Sequence, residues 1–102
     1  MMNDIATIQG LTTEDEVLTN LAEEATELAK AALKLRRTLI DDNPTPIQHA
    51  AAYDSLVEEC ADVSLCLQVL GVDNSMNRLK IQQIKYAKAL RWIKRLRVIR
   101  KE

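Results

Sequence analysis

Two short acidic runs, Glu23-Glu24-x-x-Glu27 and Glu58-Glu59-x-x-Asp62, are the residues of this chain best suited to chemistry. Each is embedded in a segment rich in Leu and Ala, around Leu21–Leu28 and Leu56–Val63. An α-helix turns about 100° per residue, so a residue three positions on returns to within about 60° of the first. Measured from Leu21, Glu24 falls at the edge of the apolar stripe and Glu27 one step further around. Glu23 lies beyond Glu27 on the same flank. Measured from Leu56, Glu59 and Asp62 stand in the same relation and the same rotational sense. If the two helices are antiparallel neighbours packed stripe to stripe, Glu24, Glu27, Glu59 and Asp62 border one seam. Carboxylates crowded there repel one another, and a hard divalent cation offsets the repulsion. Mg²⁺, or Mn²⁺ in its place, takes oxygen ligands and keeps waters that a substrate phosphate can replace. The plainer alternative is a set of solvated acids paired with Lys30, Lys34 or Arg37 on the same helix. For one glutamate that alternative is the better; two matching pairs on consecutive helices favour the metal. A di-iron centre would need Glu-x-x-His motifs, and His49 is not three residues from a glutamate.

The elements that must position these acids are helices. The chain of 102 residues is rich in Ala, Leu, Glu, Lys and Arg, holds two Gly and two Pro and lacks Phe, and no period-two run suggests a strand. The pattern predicts an all-α fold in a single domain over residues 1–102. Three long helices, at about 13–40, 46–70 and 74–98, form an antiparallel helical bundle completed by oligomerisation. Residues 1–12 form an N-terminal arm or a short helix, with Gly10 marking a break before the first long element, and 98–102 a fraying tail. Thr13 and Glu16 fit a capping box, Thr45-Pro46 a second helix start that could also lie near Gln48, and Gly71 a helix end. Asp73 or Ser75 caps the third helix. The last turns of the second helix are apolar on opposite sides, Val63 and Leu67 against Leu65 and Val69. That implies cover from a third helix or a second subunit.

Formal net charge is −1, which gives no global footprint for nucleic acid. The charge is nonetheless divided, with 14 acids against 4 bases up to Asp73 and 10 bases against 1 acid from Asn74 onward. Most of those bases read as a solvated face balancing an acidic body, and Tyr53, Tyr86 and Trp92 as packing residues. No apolar run is long enough to span a bilayer and no signal-peptide pattern is present, so neither membrane nor nucleic acid is an expected partner. Cys60 and Cys66 are six apart on one helix, too far for an intrahelical disulfide, and without CxxC spacing they make no zinc site. Reduced, packed thiols in a cytoplasmic protein are the expectation.

Glu23-Glu24-x-x-Glu27 followed by Glu59-x-x-Asp62 resembles the signature of the MazG-like all-alpha nucleotide pyrophosphohydrolases. The continuation to Ala31, Lys34 and Arg37, the Asn43-Pro44-Thr45-Pro46 connection and Lys88-x-x-Arg91-Trp92-x-x-Arg95-Leu96 are similar to short phage or bacterial members. The resemblance covers about 13–96. It implies Mg²⁺-dependent hydrolysis of a nucleoside triphosphate to the monophosphate and pyrophosphate, by a homodimer or homotetramer. It implies Glu24, Glu27, Glu59 and Asp62 as metal ligands, with Glu23 and Glu24 catalytic, Glu23 at an outer metal site or orienting the attacking water. Lys34, Arg37, Lys88 and Arg91 would hold the triphosphate and Trp92 the base. Two readings of other kinds stand beside it: a non-catalytic helical interaction protein, and a nucleotide sensor with the same fold.

Overall fold

The computed structural model describes residues 3–40 and 48–101. Among them the chain is all-helical, with no strand and four helices: α1 (Asp4–Leu11), α2 (Glu14–Thr38), α3 (His49–Leu70) and α4 (Ser75–Arg100). Contacts divide the chain into two compact units, Met1–Val72 and Asp73–Glu102.

The first unit is built on the pairing of α2 with α3. Their chains run antiparallel: Oγ1 of Thr38 at the end of α2 lies 3.0 Å from Nδ1 of His49 at the start of α3. At the other end Val17 and Val69 line one small cavity. The start of α2 is fixed as its sequence dictates. The Thr13 hydroxyl accepts from the Glu16 amide at 3.1 Å, and the Glu16 carboxylate accepts from the Thr13 amide at 2.9 Å, closing the capping box. Helix α3 ends at Gly71, whose φ of 80° is the left-handed conformation that lets the amides of Gly71 and Val72 reach back to the carbonyls of Gln68 and Leu67. The pairing surface is thin. Among the described residues only Val17, Ala31, Ala52 and Val69 are buried, while Leu21, Leu28, Leu35, Leu56, Val63 and Leu67 are half-buried along the seam.

The structure corrects the expected layout at the N-terminus. Gly10 does not break the chain; it lies inside α1, an element too short to announce itself by periodicity. Asn3 caps it, its side-chain oxygen accepting from the Ala6 amide at 3.2 Å. The helix is then held by docking onto α3: Ile5 and Ile8 are half-buried, and the Gln9 side-chain amide donates to the Val69 carbonyl at 2.9 Å. The cover that the doubly apolar end of α3 requires therefore comes, on the Val69 side, from α1.

The described part of α3 begins at His49 with Gln48 as its N-cap; a start at Thr45-Pro46 falls outside the described residues. The second unit is α4. Its cap is neither Asp73 nor Ser75 but Asn74 between them, whose side chain accepts from the Asn77 amide at 2.7 Å. Asp73 is instead paired with Arg78 at 3.4 Å. The helix continues to Arg100, two residues past the expected end, and closes on Lys101 at φ 58°. It buries none of its residues. No helix among the described residues is long and apolar enough to cross a membrane.

Candidate metal centre

Glu24 projects from the middle of α2 at the edge of its packed stripe, between Leu21 and Leu28. Glu59 and Asp62 project from the middle of α3 in the same relation to Leu56 and Val63. Because the helices are antiparallel, equal rotational offsets from the seam fall on the same face of the pair. The three carboxylates meet there, each offering an oxygen within 4.8 Å of the other two. All three side chains are half-buried, which weakens the solvent screening that lets acids crowd on an open surface.

The electrostatics record that crowding. The Glu24 carboxyl is pushed up from the ordinary 4.5 to about 7. The first cause is a side-chain hydrogen bond with Glu59, which favours the protonated acid. Partial burial, the charges of Asp62 and Glu59, and a second hydrogen bond with Asp62 follow. Oxygen Oε2 of Glu59 is buried without a hydrogen-bond partner among the described residues. A buried carboxylate oxygen left unpartnered is costly, and a cation is the partner it calls for.

The donor set fits a hard divalent ion. It consists of carboxylate oxygens alone, from two rigid helices, with the remaining coordination positions open to water or phosphate.

The fourth expected ligand stands apart from this cluster. Glu27 is exposed and paired with Lys30 on its own helix, Oε1 to Nζ at 3.3 Å. Glu23 is exposed on α2, as are Lys34 and Arg37 further along it; neither base forms an ion pair among the described residues. Lys88, Arg91 and Trp92 belong to the second unit and are exposed on α4, with Trp92 63 % accessible. The cluster thus gathers three of the ten residues singled out for metal, catalysis and substrate.

Cys66, read from the sequence as packing alone, is a neighbour of the site. Burial pushes its thiol up, and the carboxylates of Glu24 and Asp62 push it further. The signal was present in the spacing: Cys66 follows Asp62 by four residues and shares its helix face. A thiol held protonated is no competitor for a hard ion. Compared with family models, curated proteins and solved structures, the chain matches none.

Proposed function

We propose that this protein is a Mg²⁺-dependent nucleotide pyrophosphohydrolase of the MazG-like all-alpha type, hydrolysing a nucleoside triphosphate to the monophosphate and pyrophosphate. One observation carries the reading: Glu24, Glu59 and Asp62 meet on one face of two helices, with a buried Glu59 oxygen unpartnered among the described residues. In this reading those three residues hold the ion, and Glu27 joins them when it leaves Lys30. Mg²⁺ or Mn²⁺, when bound, supplies the positive charge that triphosphate oxygens and a departing pyrophosphate require. Glu23, exposed beside Glu24, orients the attacking water. Lys34 and Arg37 on α2 and Lys88 and Arg91 on α4 bind phosphate oxygens, and Trp92 stacks on the base.

Helices that bury so little within one chain are completed by association of copies, as a homodimer or homotetramer. The two free cysteines suit a reducing cytoplasm. Pyrophosphate release over a panel of nucleoside and deoxynucleoside triphosphates with Mg²⁺, run beside Glu24→Gln and Asp62→Asn, tests the assignment. Turnover in the wild type lost in both variants supports it; equal turnover in all three overturns it. The Glu27–Lys30 ion pair favours a second reading in part, a helical interaction protein or nucleotide sensor whose acidic turns are surface. In that case no triphosphate is turned over.

A further inference from the structure

Helix α4 carries nine bases and no acid. Apart from Arg78, which pairs with Asp73, none of these bases forms an ion pair among the described residues. The second half of the helix is also two-sided. At about 100° per residue, Tyr86, Ala89, Leu90, Trp92, Ile93 and Leu96 fall within one arc of about 160° that holds no charge. Lys88, Arg91, Lys94 and Arg95 occupy the opposite side, and Lys85 and Arg97 close the stripe at its two ends. Upstream, Met76 and Ile84 fall outside the arc, so the stripe belongs to this half of α4 alone. Such a stripe is core when a helix packs within its own chain. Here the helix buries none of its residues, and Tyr86, Leu90, Trp92 and Ile93 are between 43 % and 69 % exposed.

We propose that the second half of α4 docks on the surface of an anionic lipid bilayer, lying in the plane of the interface with its stripe against the acyl chains. The helix is not long and apolar enough to cross the bilayer, and a basic amphipathic helix of this kind lies on it instead. The proposal goes beyond the hydrolase reading and does not rest on it. Charge selects the occupant. A flat anionic surface attracts every base within a Debye length of it, about 8–10 Å. A helix is only about 10–12 Å across, so bases on all its sides contribute, whichever way they point. A protein groove that took the stripe would reach the bases at its rim and leave Arg91 and Arg95, on the far side, without counter-charge. Nucleic acid would meet the bases with phosphate and offer no apolar counterpart to the stripe. At a bilayer, Tyr86 and Trp92 place ring bodies and polar tips at the headgroup boundary, and lysine and arginine stems reach back to lipid phosphate. The segment up to Asp73, with 14 acids against 4 bases, is repelled by the same surface, which leaves α4 as the element in contact.

Trp92 is the only tryptophan of the chain and lies in the stripe, so its emission reports the contact. The 102-residue chain, free of nucleotide, is mixed with vesicles of equal parts phosphatidylglycerol and phosphatidylcholine, and with vesicles of phosphatidylcholine alone. The expected result is a blue shift of Trp92 and cosedimentation with the anionic vesicles only, both weakened as salt is raised. Leu90→Gln with Ile93→Gln removes part of the stripe, and Lys85→Gln with Lys94→Gln part of the charge. Each pair is expected to lower the partition coefficient about tenfold or more. All four positions are exposed and Gln is well tolerated in helices, so folding, read by circular dichroism, is expected to persist. Binding to neither vesicle, equal binding to both, or binding indifferent to the loss of Leu90 and Ile93 overturns the proposal. A DNA or RNA duplex retained by the chain in the presence of excess anionic vesicles assigns α4 to nucleic acid and overturns it. A Trp92 shift driven by protein concentration alone, without vesicle binding, assigns the stripe to a second copy and overturns it as well. Pyrophosphate release, measured without vesicles, decides the hydrolase reading whichever result is found.

Discussion

The two acidic turns share a spacing and differ in fate. On α3, Glu59 and Asp62 both enter the carboxylate cluster; on α2, Glu24 enters it and Glu27 turns to Lys30. The difference lies in what each helix offers its own acids. Helix α2 carries Lys30, Lys34, Arg36 and Arg37 downstream of its glutamates, and an acid three residues before a lysine has a partner within one turn. Helix α3 has no lysine or arginine over its whole length. Its acids therefore have no local counter-charge, and the carboxyl they meet across the seam, on Glu24, adds to the repulsion. A helix without bases can keep carboxylates packed at a seam only if something else satisfies them.

The sharpest way to break this comparison is to neutralise the α3 side. Asp62→Asn is expected to abolish pyrophosphate release, at least about 100-fold, and with it the rise in melting temperature that Mg²⁺ gives the wild type. A melting temperature indifferent to millimolar Mg²⁺ in the wild type itself would count against the cation site. Glu59→Gln should behave oppositely in the two assays. It removes the charge on a buried, unpartnered carboxylate, so in chelator the melting point is expected to rise by about 2–5 °C while the response to Mg²⁺ disappears.

Acidity sharpens the comparison on the α2 side. Glu24 titrates near 7 in the folded chain against an ordinary value of 4.5. The folded state therefore holds this proton more tightly than the unfolded state does. The stability it contributes is fully present below pH 4.5 and is lost as pH rises through about 7, so the metal-free protein is expected to lose melting temperature across that window. Mg²⁺ competes with the same proton. Its apparent affinity should weaken as pH falls below about 7, by up to about tenfold per unit, and Glu24→Gln should flatten both profiles. Calorimetric titration at a series of pH values checks the sign. The smallest expected effect belongs to Lys30→Ala, which frees Glu27 from its exposed ion pair. Because such pairs contribute little, a two- to threefold gain in Mg²⁺ affinity, about 0.5 kcal/mol, is the expected limit. No gain, together with an inert Glu27→Gln, would leave Glu27 as a surface residue.

Much of this arrangement could be read from residue order. The capping box at Thr13 and Glu16, the glycine end of α3 and the shared offset of Glu24 and Glu59 from Leu21 and Leu56 depend on neighbours within one turn, and sequence records those directly. Residue order alone does not decide between an arm and the short helix α1, because eight residues are too few to show a period and its partner, Val69, is 60 positions away. The cap of α4 is undecided for a different reason. Asp73, Asn74 and Ser75 are all good capping residues in consecutive positions, and Arg78 draws Asp73 aside. Glu27 had two possible partners, a lysine on its own helix and a cation across the seam, and angular position alone does not rank them.

The hydrogen bond from Gln9 to Val69 has a consequence for how the first unit comes apart. The last four carbonyls of any helix lack partners within it, and Val69 supplies one of those of α3. Its partner comes from α1, so that short helix closes a clasp on the far end of the helix that carries Glu59 and Asp62. Amide protons in the final turn of α3 should then exchange with solvent at the rate at which α1 lifts away. Gln9→Ala, remote from every acid in the cluster, would quicken that exchange while the middle of α3 keeps its protection.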